Sequence, residues 1–295
     1  MPINNSTLPS HEEFLRRKRK KRIIKYSIIS FLIIFIIGLS SYISHRPEVR
    51  ISKVVLKGGV LVTESDISDK SFSYMKDSYF WLFPKNSSFW YPKKQLSVYL
   101  KENFKRIDTI SIGLDGLRTM VVTVEERKPF AIWCDKLPGQ VEISTTTPVE
   151  KDSEYQKCFF IDQNSTIFSE APYFSGDAYF KFYGLVSTST PIGNYYISSS
   201  TKFQEIVHFI SDIKAMSIRP LYLIAEDEGD FSLVVSGGGK IFFDTKKPLT
   251  EISKNLESLL KTPALSTSTN SDLPIEYIDL RYGNKLFYKL KGEKI

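Results

Sequence analysis

Histidine is scarce in this chain, which has only three among 295 residues. His11 lies in the polar N-terminal tail, and His45 follows an apolar segment directly. His208 falls on the polar side of an amphipathic stretch, which favours a solvated side chain. Catalytic triads and histidine-based zinc sites are therefore hard to build from this sequence.

The sequence also has no recognisable phosphate loop or carboxylate pair. Gly237 to Gly239 is not followed by the helix that a phosphate loop requires, so a hairpin turn is predicted. Acidic pairs such as Asp227 with Asp230 lie in predicted turns, where carboxylates are common. They leave a two-carboxylate glycosidase open but single out no pair. We therefore predict no catalytic, cofactor-binding or metal-binding residues and expect no cofactor.

Cysteine occurs only twice, as Cys134 and Cys158, and both residues follow the apolar segment. Each lies in a strand-like run, and a polar, threonine-rich loop (144–156) separates the two. In a hairpin they would be cross-strand neighbours. An oxidising exterior would favour a disulfide, and the alternative is a pair of buried thiols acting as small apolar side chains.

The chain after residue 44 has no long apolar run. One such run lies before residue 44. Tyr26 to Ile43, extended by Ile23 and Ile24, covers roughly the 30 Å hydrocarbon thickness of a bilayer at ~1.5 Å per residue. The basic run Arg16 to Arg22 precedes it and should hold that end in the cytoplasm. We predict a cytoplasmic tail at residues 1–24 and a transmembrane helix at residues 25–44.

A cleaved secretory signal is the alternative, because it has the same basic start. Such signals have a shorter apolar region of about 7–15 residues and end in small residues. This segment is longer, and its exit (Ser40 to Arg46) carries bulky residues where a peptidase would cut. An uncleaved anchor is the prediction.

The net charge of +7 comes almost entirely from the tail. Residues 1–25 hold eight Lys or Arg against two acidic residues, and the remaining chain has 32 basic and 31 acidic residues. The basic excess is therefore typical of a topogenic signal near anionic headgroups. A nucleic-acid-binding surface is not expected.

The first region beyond the membrane predicts a small unit of order β-α-α-β-β. The predicted elements are strand 50–57, a helix capped by Thr63, helix 92–100, strand 106–114 and strand 118–125. Two aromatic stretches, 79–84 and 89–91, lie between the helices. We interpret them as core of the small sheet; the alternative is a partner-binding or lipid-facing surface.

The remaining chain predicts a mixed β-rich region with docked helices. Strand-like runs occur at 130–134, 158–162, 221–225, 231–235 and 240–244. Amphipathic helices are predicted at 201–216 and 249–260. After a polar linker at 266–271, one long strand is predicted from Ile275 to Leu290.

Three stretches resemble the bacterial cell-division family FtsQ/DivIB. Val124 to Trp133 (VEERKPFAIW) is similar to the family's Glu-Arg-x-Pro-x-Ala-x-Trp junction. Phe160 to Phe168 (FIDQNSTIF) resembles the strand-turn-strand that follows, and Tyr277 to Tyr282 (YIDLRY) resembles its terminal strand. The β-α-α-β-β unit resembles a POTRA domain. The resemblance implies an α+β chain with a single N-terminal transmembrane helix, a POTRA domain at 49–127 and an FtsQ-type β domain at 128–295.

The resemblance implies a non-enzymatic scaffold that recruits FtsB- and FtsL-type membrane proteins and other divisome components to the septum. Septal peptidoglycan synthesis would be controlled through them. The chain would be a type II single-pass protein of the inner membrane, with its C-terminal domain outside. Partner contacts are expected on the last strand through its edge; the candidates are Arg281, Tyr282, Asn284, Leu286 and Tyr288. An anchored cell-wall enzyme and a POTRA-type chaperone for exported polypeptides are the competing hypotheses.

Overall fold

The computed structural model describes residues 11–138, 156–172, 177–184, 186, 190–227, 229–262, 265, 273–283 and 285–293. They form two compact units. The first comprises Met1–Phe104 with Thr109–Glu125, and the second comprises Lys105–Asp108 with Glu126–Ile295. The α+β class, with one N-terminal apolar helix and a large mixed sheet, is confirmed.

Helix α1 (His11–Ser44) contains the predicted anchor. Its part from Leu15 to Ser44 is long and apolar enough to cross a membrane, and no residue of its most apolar 18-residue window is buried in the protein. The exposed side chains include consecutive Ile, Leu and Phe residues through Ile43. Because apolar side chains exposed on every face of a helix need an apolar solvent, the helix is suited to lipid.

The first unit has the predicted order β-α-α-β-β, with one extra hairpin. Its elements are β1 (Lys53–Lys57), α2 (Glu64–Tyr74), β2 (Ser78–Tyr79), β3 (Phe83–Pro84), α3 (Lys93–Asn103), β4 (Ile107–Asp115) and β5 (Thr119–Glu126). The three longer strands form a sheet in the order β1-β5-β4, and β1 runs parallel to β5. Strands β2 and β3 form a separate two-stranded hairpin.

Local sequence explains where the helices of this unit begin. The Thr63 hydroxyl accepts a hydrogen bond from the Asp66 backbone N–H at 3.2 Å and donates to the Asp66 carboxylate at 2.7 Å. The cap satisfies one of the backbone donors that a helix start leaves unpaired, at the predicted residue. Helix α3 begins after Pro92, whose missing N–H costs nothing at that position.

The interpretation of the aromatic stretches as core is wrong for most of their members. Phe80 is 87% exposed and Trp81 is 94% exposed, and Phe89 and Trp90 are also exposed. The core of this unit is aliphatic instead; its fully buried members include Ile67, Leu96, Leu100, Met120 and Val122. These aliphatic side chains form the interior between the three-stranded sheet and the two helices, and the four aromatic side chains lie outside it.

The second unit is built on a nine-stranded mixed sheet. Its strands are β6 (Ala131–Cys134), β7 (Cys158–Ile161), β8 (Ile167–Ala171), β9 (Lys181–Gly184), β10 (Pro220–Asp227), β11 (Asp230–Val235), β12 (Lys240–Asp244), β13 (Ile275–Asp279) and β14 (Phe287–Leu290). The order is β14-β13-β12-β11-β10-β9-β6-β7-β8. The predicted meander β10-β11-β12 is confirmed, and Ser236–Gly238 forms a turn between β11 and β12.

Two amphipathic helices supply the other half of this core. Helix α4 (Ser200–Ala215) begins at the Ser199 cap, and helix α5 (Leu249–Leu260) begins after Pro248. Both pack their apolar residues with the inward side chains of the sheet; the helix members are Phe203, Ile206, Phe209, Ile210, Ile213, Leu249, Ile252 and Leu256. The helical periodicity therefore predicted both helices correctly. His208 is exposed, as expected.

The junction stretch holds the start of the large sheet in place. Arg127 forms an ion pair with the buried carboxylate of Asp162 and a second with Asp108 at 3.0 Å. The Trp133 indole N–H donates to the Gly184 carbonyl at 2.9 Å. These contacts tie β6 to β9 and to the turn after β7, so the charged and aromatic junction residues serve packing here.

The two cysteines lie opposite one another in the β6-β7 hairpin. Cys134 pairs with Cys158 in the antiparallel register, and the structure joins them in a disulfide with Cα atoms 4.1 Å apart. Most of the predicted loop between them, and the predicted linker at 266–271, lie outside the described residues.

Candidate partner-binding edge

The C-terminal segment folds back on itself, and the prediction of one long strand from Ile275 to Leu290 is wrong. Strands β13 and β14 pair antiparallel, with Ile278 opposite Tyr288 and Asp279 opposite Phe287. The chain reverses near Gly283, whose φ of +69° is a left-handed conformation that glycine adopts without steric cost. Alternating apolar residues continue through the turn, so periodicity alone did not reveal the reversal.

The reversal places β14 at one end of the nine-stranded sheet. Its partner is β13 on one side, and no described strand pairs with the other side. An edge strand of this kind can pair with an extended segment from another chain. The opposite end of the sheet is β8, where Thr166 bridges Tyr195 and the Ile167 N–H donates to the Asn194 carbonyl. The 193–196 segment thus covers part of the β8 edge.

Exposed aromatic side chains accompany the β14 edge. Tyr282 is 59% exposed, Phe287 is 48% exposed and Tyr288 is 40% exposed. The rings of Tyr282 and Phe287 meet edge to face with centroids 5.3 Å apart. We call Tyr282, Phe287 and Tyr288 the edge aromatic patch. Large rigid rings beside a free edge can provide contact area at low entropic cost, which is typical of residues that dominate binding.

Arg281 is engaged within the protein. Its guanidinium forms two hydrogen bonds with the Asp279 carboxylate, at 2.9 and 2.6 Å, and an ion pair with Asp230 at 3.4 Å. It also lies over the Phe242 ring, 5.2 Å from the centroid. The guanidinium is therefore held between an acidic pair and a ring, which fixes the backbone that carries Tyr282.

The carboxylates around Arg281 form a small acidic cluster. Asp230, Asp244 and Asp279 lie at neighbouring strand ends, and Lys246 contacts the first two at 3.7 Å. Burial alone would raise the pKa of Asp279, but hydrogen bonds and charge from Arg281 outweigh it and hold this pKa below its ordinary value. The pKa of Arg281 is raised, chiefly by its hydrogen bonds to Asp279 and despite its partial burial. Both groups are charged at neutral pH.

The remaining predicted contacts are distributed differently. Leu286 is half-buried and packs against the core of the second unit, where it lines a groove of about 280 Å³ beside α5 with Leu259 and Lys285. Tyr288 lies on β14 itself. Asn284 lies outside the described residues. Tyr282 and Tyr288 are therefore both exposed near the edge, while Arg281 and Leu286 make contacts within the protein.

Phe287 was missed by the sequence reasoning, although it belongs to the edge aromatic patch. The Tyr282-Gly283 pair followed by a second aromatic run is typical of a hairpin, and that signal could have placed Phe287 opposite Asp279. Glu276 was missed as well, and it pairs with Lys289 across β13 and β14 at 2.7 Å. This exposed ion pair supports the register of the hairpin.

In the described part of the chain, no group of three or more His, Cys, Asp or Glu side chains is arranged to hold a metal ion. An apolar groove beside α4, of about 370 Å³, is lined by Phe130, Phe180, Val207 and Ile210 among others. The free edge with its aromatic patch is the candidate site that the chemistry favours.

No protein-family model matches this chain, and a search of curated proteins finds no significant match.

Proposed function

We propose that this chain is a non-enzymatic cell-division scaffold of the FtsQ/DivIB type. The proposal is supported by the order of its parts: a basic tail, a helix able to span a membrane, a β-α-α-β-β unit and a large mixed sheet with a free C-terminal edge. The first unit beyond the helix is proposed to be a POTRA domain and the second an FtsQ-type β domain. The three stretches similar to the family lie at the junction, at β7-β8 and at β13.

The proposed activity is strand addition at β14. An extended segment of an FtsB- or FtsL-type membrane protein would pair with the outer side of this strand. Main-chain hydrogen bonds would supply affinity, and the edge aromatic patch would supply specificity. Divisome proteins gathered in this way at the septum would control septal peptidoglycan synthesis without chemistry by this chain.

The proposed location follows from the charge of the tail. The cationic run Arg16 to Arg22 favours a cytoplasmic N-terminus, so the chain after Ser44 would lie outside the inner membrane. A partner anchored in the same membrane would then reach the edge from the outer surface.

The exposed aromatic patch at the β14 edge carries the proposal, and Tyr282 tests it. Tyr282→Ala in the full chain should reduce capture of FtsB- and FtsL-type proteins from membranes of dividing cells by about thirtyfold, because truncating a central aromatic contact typically costs ~2 kcal/mol. The fold should persist because the side chain is 59% exposed.

Tyr195→Ala is the matched control. Tyr195 is a tyrosine of similar exposure, 56%, and it lies beside β8 at the opposite end of the sheet. This variant should capture the partners as the parent chain does. Equal capture by both variants would contradict strand addition at β14, and equal loss in both would indicate a different surface.

A further inference from the structure

A second aromatic surface lies on the first unit and is independent of the β14 edge. Phe80, Trp81, Phe89 and Trp90 all have exposed side chains. We call these four residues the exit aromatic patch, because they lie beside the end of helix α1. Exposed aromatic groups of this density usually mark an interaction surface.

The β2-β3 hairpin contacts the last turns of the membrane helix. The Ser41 hydroxyl donates to the Leu82 carbonyl at 2.7 Å. Ser44, the last residue of α1, is buried. Trp81 immediately precedes Leu82, so its ring is restricted to the neighbourhood of the helix end.

The Phe89-Trp90 part of the patch has its own tether to the helix exit. The backbone N–H of Ser88 and its hydroxyl both donate to the Val49 carbonyl, at 2.9 and 3.1 Å. The Ile51 N–H donates to the Asn86 carbonyl at 2.8 Å. Two separate sets of hydrogen bonds therefore hold the patch to residues near the point where the chain leaves the membrane.

The depth of this contact follows from helix geometry. The apolar span is counted here from Ile23, the first apolar residue after the basic run, and it includes one further basic residue, Lys25. Ser41 is then about 27 Å along the helix axis from Ile23, close to the far boundary of a hydrocarbon layer of roughly 30 Å. With the helix placed across a bilayer in this way, Leu82 and the adjoining aromatic rings would lie near the level of the outer headgroups.

The turn itself gives Phe80 and Trp81 no reason to be aromatic. Their φ angles are +48° and +61°, and the Leu82 N–H closes the turn on the Tyr79 carbonyl at 3.0 Å. Two successive left-handed residues are the geometry that favours Asn-Gly in a tight hairpin, and bulky residues are disfavoured there. The rings are held in a strained turn with almost all of their surface outside the protein.

Three cationic side chains contact residues in the segments that adjoin the patch. Arg46 lies over the Tyr42 ring with 5.0 Å to the centroid, and Arg50 donates to the Asn86 side chain at 3.2 Å. Lys85 lies within 6 Å of the centroids of two tyrosine rings. Aromatic rings accompanied by cations are typical of a membrane interface, where rings enter the headgroup layer and cations meet phosphates.

We propose that the exit aromatic patch inserts into the outer leaflet of the membrane that α1 spans, with phospholipid as its ligand. The first unit is then attached to the bilayer at two points, the helix and the Phe80-Trp81 hairpin tip. This second attachment restricts the tilt of the unit over the surface. The proposal does not depend on the identity of any protein partner.

The test measures quenching of Trp81 by bromine on lipid. The full chain carrying Trp90→Phe is placed at one copy per nanodisc made of phospholipids brominated near the headgroup end of the acyl chain. The emission of the same chain with Trp81→Phe added is subtracted to remove the contribution of Trp133. Trp133 is buried, so its emission should not depend on the lipid. The Trp81 emission should fall by at least about twofold relative to unbrominated lipid, as expected for a ring in the interface.

Leu61→Trp in the chain carrying Trp81→Phe and Trp90→Phe is the matched control. Leu61 is also exposed, at 64%, but it lies beyond the end of β1 that is farther from the membrane helix. Its emission should be the same in both lipids. Quenching of Trp81 no greater than that of the control tryptophan would overturn the proposal, including the case in which the patch binds a protein and not lipid.

Discussion

At the scale of single residues, Arg281 is the clearest example of a side chain whose role depends on its surroundings. Its sequence context suggested a partner contact, and the structure places its guanidinium between Asp279, Asp230 and the Phe242 ring. A direct contact between Arg281 and a partner stays a prediction. Its internal contacts already imply an effect on stability and on the position of Tyr282.

We predict that Arg281→Met lowers the free energy of unfolding by about 2 kcal/mol at pH 7, because a charged hydrogen-bonding group is removed from a buried carboxylate. The folded-state pKa of Asp279 lies below its ordinary value of 3.8 because of Arg281. Its stabilising contribution is therefore present above about pH 4 and lost as the pH falls through the folded-state pKa. Urea unfolding at pH 7 and pH 3 should show a smaller difference between variant and parent at pH 3.

The control for this prediction is Lys261→Met. Lys261 pairs with Glu257 at 2.7 Å on the surface of α5, and both side chains are exposed. Loss of this pair should change stability little at either pH, since exposed ion pairs contribute little. An Arg281→Met variant that unfolds like the parent at pH 7 would contradict a stabilising role of the contacts between Arg281 and the carboxylates of Asp279 and Asp230.

At the scale of elements, a disulfide bond links the two strands of the β6-β7 hairpin. Cys134 and Cys158 are 24 residues apart in sequence. The residues between them add a long connection to a hairpin of four-residue strands. A crosslink at the end of such a connection restricts the unfolded chain more than the folded one.

We predict that Cys134→Ala with Cys158→Ala lowers the free energy of unfolding by about 3 kcal/mol, because opening a loop of this length restores entropy to the unfolded chain. Alanine avoids placing a polar group at the fully buried Cys134 position. Chemical unfolding of residues 45–295 with and without the substitutions measures the difference. Reductant should destabilise the parent by a similar amount and leave the variant unchanged.

Thiol labelling provides an independent check on the same element. The exported protein should resist alkylation at both cysteines until it is unfolded and reduced. Full alkylation of the native protein without reductant would show that the pair is not oxidised in the cell.

At the scale of the whole molecule, charge order and the single apolar helix predict topology. The tail carries the basic excess, and the chain after the helix is nearly neutral. Only an orientation of the helix with its basic N-terminal end in the cytoplasm satisfies the preference of Lys and Arg for cytoplasmic segments.

We predict that a cysteine introduced at Lys202 is labelled by a membrane-impermeant maleimide in intact cells, whereas one introduced at Lys18 is labelled only after lysis. Both changes are made in the chain without its natural cysteines, so each reports a single position. Lys202 lies on the exposed start of α4. Recovery of a mature chain that begins near His45 would instead establish a cleaved signal.

Much of the local structure could be predicted from the sequence because its causes are local. The Thr63 cap, the helix from Leu249 to Leu260 and the β10-β11-β12 meander depend on neighbouring residues, helical periodicity and turn residues. The membrane-length helix near the N-terminus depends on the length of one apolar run. These features need no knowledge of distant contacts.

The candidate sites depended on tertiary structure. Whether Tyr282 is exposed is decided by the reversal at Gly283 and by the position of β14 at the end of the sheet. Whether Trp81 faces core or solvent is decided by which side chains the sheet and helices of the first unit bury, and these are aliphatic. Sequence alone determined which segments form helices and strands and that one of them suits a membrane. Only the folded chain decided which edge and which rings remain outside, because free edges and exposed faces are properties of what packs against them.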